Sequence, residues 1–169
     1  MTDPLTLTPS QTVGPFLHIA LAETAKRFAV PAESAGAIRV AGTVTDGAGV
    51  GVPDALIETW QADELFSRCP TDDDGQYEIY TRKPPAAETV DGTPQAPHLS
   101  VSVFARGLLD RVVTRIYFPD EDAANATDPT LLTVPAERRH LLVATAESPG
   151  HYRFDIALQG DGESVFLAI

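Results

Sequence analysis

The run Ile38-Arg39-Val40-Ala41-Gly42-Thr43-Val44, followed by Asp46-Gly47, decides the fold. Ile38, Val40 and Val44 fall on one face and Arg39 and Thr43 on the other, the period of two that a half-buried strand requires, and Asp-Gly supplies the turn that ends it. Downstream the same grammar recurs. Ala55 to Ala62 follows Val52-Pro53-Asp54, and Gln76 to Thr81 follows the turn Asp74-Gly75. His98 to Ala105 puts Leu99, Val101 and Val103 in one row, and Arg111 to Phe118 pairs with it like a hairpin across Arg106-Gly107. Tyr152, Phe154, Ile156 and Leu158 alternate with Arg153, Asp155 and Ala157, and Ser164 to Ile169 is expected to close a final hairpin across Gly160-Asp161-Gly162.

Seven or eight short strands at turn-marked spacings, with helical segments only near 18–28, 119–126 and 135–139, predict an all-β, two-layer β-sandwich. Upstream of Ile38 the pattern is different. Residues 1–36 read as an N-terminal arm, Pro- and Thr-rich from Pro4 to Pro15 and Ala-rich from His18 to Phe28, and residues 37–169 as the sandwich domain. Gly14-Pro15 marks a fixed bend in the arm. Lys83 to Pro97, rich in proline, reads as a long loop of the kind that carries a site or an interface.

At 169 residues and 43% hydrophobic the chain can bury one sizeable core. A net charge of -12 and the absence of any basic run argue against a nucleic-acid partner, because phosphate binding needs clustered lysine and arginine. A small anionic substrate would need a local cation. With Cys69 as its one cysteine the chain forms no intrachain disulfide. No signal-like or membrane-spanning run is present, so a cytoplasmic location is the expectation.

Chemistry-bearing residues are sparse. His18, His98, His140 and His151 are scattered with no His-x-His pair and no His-Glu-x-x-His, and Pro97-His98-Leu99-Ser100 offers half of a metal site at most. Phosphate loops, dinucleotide fingerprints and nucleophile elbows are missing. Asp72-Asp73-Asp74-Gly75 lacks the further ligands of a calcium loop and reads as a solvated turn. Tyr77, Tyr117 and Tyr152 are expected in the core.

Six runs taken in order carry more than any one alone: Thr8-Pro9-Ser10-Gln11-Thr12-Val13-Gly14-Pro15-Phe16, Glu58-Thr59-Trp60-Gln61-Ala62-Asp63, Asp74-Gly75-Gln76-Tyr77, Ala96-Pro97-His98-Leu99-Ser100-Val101, Thr114-Arg115-Ile116-Tyr117-Phe118, and Tyr152 to Ile156 with Gly160 to Phe166. Together they resemble the intradiol ring-cleavage dioxygenases over nearly the whole chain. The resemblance implies a metal site of two tyrosines and a His-x-His pair holding Fe(III), and here most of it is missing. The matching triplet is His98-Leu99-Ser100, the loop Lys83-Pro84-Pro85-Ala86-Ala87 has no tyrosine, and Asp63 to Pro70 is short and has none.

The chain therefore resembles the member of an alpha-beta pair that does not bind iron. The resemblance implies a homologous beta subunit carrying Fe(III), a higher oligomer of alpha-beta pairs, and a shared pocket where protocatechuate is cleaved by O2 to 3-carboxy-cis,cis-muconate. It also implies that Thr12, Gly14 and Pro15 reach into the partner's pocket and that Arg106 lies near the substrate carboxylate, with His98 and Ser100 at vestigial ligand positions. A free-standing transthyretin-like binding module shares the strand pattern and is the alternative reading.

Overall fold

Strand β1 (Ala37–Thr45) has the alternating burial that its sequence demands, with Ile38, Val40 and Val44 inward. It runs through the first sheet of the computed structural model, which describes residues 7–14, 16–22 and 25–168, His18 and Ala22 by backbone alone. On one side β1 pairs antiparallel with β4 (Gln76–Arg82). On the other it pairs in parallel first with β10 (His151–Arg153) and then with β11 (Ile156–Ala157), while β9 (Thr145–Ser148) lines up against β10.

The second sheet is antiparallel throughout, in the order β3 (Phe66–Pro70), β2 (Leu56–Trp60), β7 (His98–Phe104), β8 (Val112–Tyr117). Its inner face contributes Ile57, Leu99, Val101, Val103 and Ile116, which pack against Val40, Val44 and Ile79 of the first sheet. The fold is thus the expected all-β arrangement of two packed sheets. On the outer face of the second sheet a smaller cluster of Ala96, Tyr117, Leu131, Val134, Leu142 and Val165 lies beneath α3 (Pro129–Thr133) and a 3-10 helix (Ala136–Leu142). Two further helices are short, α1 (Phe16–Ala22) and α2 (Asp122–Asn125), and none of the described helices is long and apolar enough to cross a membrane.

The final hairpin expected from Tyr152–Leu158 and Ser164–Ile169 does not form. The Tyr77 hydroxyl donates to the Phe154 carbonyl at 2.6 Å, drawing it across β1 at Gly42, where a Cβ would lie 1.8 Å from that oxygen. This splits the run into β10 and β11. Ser164 makes one backbone bond to Ala157, and the tail then leaves for the second sheet, where Leu167 N donates to Val113 O and Thr114 Oγ1 to Val165 O. Ile169 lies outside the described residues.

One local stretch departs from the expectation and another matches it. The Lys83–Pro97 loop contains a small hairpin of β5 (Ala87–Glu88) and β6 (Pro94–Gln95). The Asp72-Asp73-Asp74 run is an Asx turn, with the Asp72 carboxylate accepting from Asp74 N and Gln76 N. Residues 26–30 are stitched to the sandwich: Lys26 N bonds Arg68 O, Ala29 N bonds Tyr80 O, and the Phe28 ring stacks on Tyr80.

Candidate functional site

Strand β7 alternates cleanly, so His98, Ser100 and Ser102 share its outer face while Leu99, Val101 and Val103 point into the core. His98 is 8% exposed, and its Nδ1 lies 2.7 Å from the carbonyl oxygen of Ala96. Burial holds its pKa below the ordinary histidine value, with a nearby Arg115 charge adding to the effect and the Ala96 hydrogen bond opposing it. Directly across the β7–β8 ladder, Tyr117 faces His98 and Arg115 faces Ser100.

That face is closed by an internal network. Asp128 is fully buried, and its Oδ1 accepts from Thr130 N, Leu131 N and the Tyr117 hydroxyl, while Oδ2 accepts from Ala96 N. Arg115 Nη1 donates both to the Tyr117 hydroxyl and to Thr130 Oγ1. Burial pushes the Tyr117 phenol up to about 12, so it stays protonated, donating to Asp128.

This donor set does not fit iron(III). A hard cation needs several phenolate, imidazole or carboxylate ligands, and around His98 the structure offers one buried imidazole, a serine hydroxyl, the Tyr117 phenol kept protonated and bonded to Asp128, and a guanidinium that repels cations. The Asp128 carboxylate, whose charge acts on His98, has both oxygens committed to hydrogen bonds. Among the described residues no group of three His, Cys, Asp or Glu side chains is placed to hold a metal. The part of the outer face left uncovered is an open groove of about 340 Å³ whose lining includes Glu58, Trp60, Ser100, Phe104 and Arg111.

The other predicted residues gather elsewhere. Thr12 is exposed but anchored, its Oγ1 accepting from Gly107 N at 2.8 Å, so the arm and the Arg106-Gly107 turn do meet. Gly14 has φ of 69°, a left-handed bend that suits glycine, and Pro15 lies outside the described residues. Arg106 forms an ion pair with Asp54, Nε to Oδ2 at 2.8 Å, and its side chain is still 58% exposed. This group sits beyond the C-terminal end of β7, whereas His98 begins that strand; at a rise of about 3.3 Å per residue the ends are roughly 20 Å apart. The structure therefore does not bring Thr12, Gly14 and Arg106 to the His98-Ser100 site.

The roles of three residues, Asp128, Arg115 and Asp54, do not follow from the sequence reading. Asp128-Pro129 carries a signal that could have been read, an N-cap followed by proline at the first helical position. Arg115 and Asp54 carry none, because their importance depends on which residues the sheet register sets opposite them.

The two-sheet framework is shared with ring-cleaving dioxygenases. The dioxygenase domain of a dioxygenase–carbohydrate-binding fusion from Streptomyces sp. SirexAA-E superposes with a TM-score of 0.58 at 21% identity, covering 95% of this chain and 96% of that one. Catechol 1,2-dioxygenase from Acinetobacter sp. ADP1 gives 0.56 at 18% identity, covering 84% and 60%. No sequence-family profile matches the chain.

Sequence relatives narrow the class. The chain belongs to the family of protocatechuate 3,4-dioxygenase alpha chains: it is 38% identical to that of Pseudomonas putida, covering 95% of both chains, and 36% identical to that of Burkholderia cepacia, covering 96% and 97%. It is also 34% identical to the Burkholderia cepacia protocatechuate 3,4-dioxygenase beta chain over 73% of its own length and 64% of that chain's.

Proposed function

We propose that this chain is the alpha subunit of a protocatechuate 3,4-dioxygenase, binding no iron itself and completing the pocket of a homologous Fe(III)-bearing beta subunit. The observation that carries the reading is the His98-Leu99-Ser100 strand, with its single histidine, in a chain akin to alpha chains over 95% of its length. A donor set so poor in metal ligands supports placing the iron chemistry on another chain. The partner's iron would activate the catecholate toward O2. The free-standing binding module is not favoured, since the relatives are dioxygenase subunits.

In this reading the arm formed within residues 1–36 packs on the partner, while residues 37–169 form the sandwich that supports it. Exposed apolar side chains on the arm, Leu7, Phe16 and Ile19, support an interface there. Thr12, Gly14 and Pro15 shape the pocket wall and exclude water, and a backbone already bent at Gly14 loses little entropy on docking. Arg106 is proposed to orient the substrate through its carboxylate, for which a planar guanidinium fork is well matched.

The test is Arg106→Ala in the reconstituted pair. The KM for protocatechuate rises far more than the KM for plain catechol, which has no carboxylate. Equal effects on both substrates would remove the carboxylate role.

A further inference from the structure

Asp54 and Arg106 are brought together by sheet register. Strands β2 and β7 are antiparallel with Leu56 opposite Phe104, so the positions two residues outside each strand end, 54 and 106, also face each other. At this end of the sheet two contacts are joined by one turn residue. Asp54 Oδ2 holds Arg106 Nε, the next residue Gly107 adopts φ of 90°, and Gly107 N donates to Thr12 Oγ1. The left-handed φ at Gly107, which glycine adopts at little cost, turns the chain just after the amide that meets the arm.

The ion pair is single-pointed. Asp54 Oδ1 is buried and has no hydrogen-bond partner among the described residues, so it takes none of the five N–H donors of the guanidinium. The Asp54 side chain is 12% exposed against 58% for Arg106, which makes the aspartate the fixed post and the arginine the presented group.

We infer that Asp54 is a positioning residue: it fixes the Arg106-Gly107 turn so that Gly107 captures the Thr12 hydroxyl, presetting the arm, and it holds Arg106 by Nε so that the rest of the fork serves a carboxylate. The inference rests on the reading that the arm and Arg106 complete the partner's pocket. Asp54 touches no substrate; it acts through Arg106 and Gly107.

The experiment uses the assembled alpha-beta enzyme carrying Asp54→Asn, and separately Thr12→Val and Thr12→Ser, with two readouts: backbone amide exchange over residues 7–14 and at Gly107, and the KM for protocatechuate and for catechol. Thr12 lies on the exposed arm, so its variants leave the sandwich core untouched. Asp54→Asn and Thr12→Val are expected to speed exchange at Gly107 and along the arm about tenfold, whereas Thr12→Ser keeps the protection. Asp54→Asn also raises the KM for protocatechuate several-fold, more than it lowers kcat and more than it changes the KM for catechol. Unchanged exchange in Asp54→Asn overturns the positioning role, and does so even if Arg106→Ala shows the pocket reading to be sound. Faster exchange with no change in either KM overturns the link from Asp54 to substrate, while the pocket reading stands or falls with Arg106→Ala.

Discussion

Replacing Asp128 with asparagine isolates the network that closes the outer face at His98. The carboxylate accepts four hydrogen bonds, from Thr130 N, Leu131 N, the Tyr117 hydroxyl and Ala96 N, in a fully buried position. Asparagine is nearly isosteric and keeps one acceptor oxygen, so the three bonds to Oδ1 survive without their charge assistance. The amide nitrogen, however, must face Ala96 N–H, donor against donor. An unsatisfied buried donor costs about 1–3 kcal/mol, and loss of the charge from the remaining bonds adds roughly 1–2 kcal/mol. The sum, about 2–5 kcal/mol, corresponds to a fall in Tm of roughly 5–15 °C for a chain of this size. Thermal and urea unfolding of wild type and variant at one protein concentration would measure it. A loss below about 0.5 kcal/mol, the level of an ordinary surface substitution, would refute the reasoning.

Three further outcomes follow from contacts elsewhere in the sandwich and from His98. Gly42→Ala places a methyl group against the Phe154 carbonyl, and a cost above about 4 kcal/mol is expected; recovery of soluble protein with an unshifted Tm would contradict the close approach. Tyr77→Phe leaves that carbonyl without its donor and is expected to lose about 1–3 kcal/mol in urea unfolding, with no change read as evidence against the bond. Burial lowers the pKa of folded His98, so below the ordinary value of 6.5 the unfolded chain binds the proton first and stability falls as pH falls toward the folded pKa. Unfolding free energies at pH 7.5 and about 5.5 should therefore differ more in wild type than in His98→Gln, and equal differences would remove His98 from the linkage.

Alternation made most of the sandwich legible. Ile38 to Val44, Gln76 to Thr81, His98 to Ala105 and Arg111 to Phe118 all read correctly as strands, because each buries one face and exposes the other. The C-terminal run failed for a reason that alternation cannot express: Tyr77, distant in sequence, takes the Phe154 carbonyl out of the ladder. Strand β3 was missed because Phe66-Ser67-Arg68-Cys69-Pro70 offers little strand propensity and is held by pairing with β2. At the candidate site, the lone histidine of His98-Leu99-Ser100 was visible at once. That a guanidinium stands opposite Ser100 and a capped aspartate locks Tyr117 depends on register and on long-range contacts.

The central claim is that this chain does not carry the iron. The most direct measurement is iron content together with the tyrosinate-to-iron charge-transfer band, taken on the purified chain alone after exposure to iron(III) and on the same chain assembled with its beta subunit. The account predicts no stoichiometric iron and no band in the chain alone, with both present in the assembly. One tightly bound iron per isolated chain would contradict it.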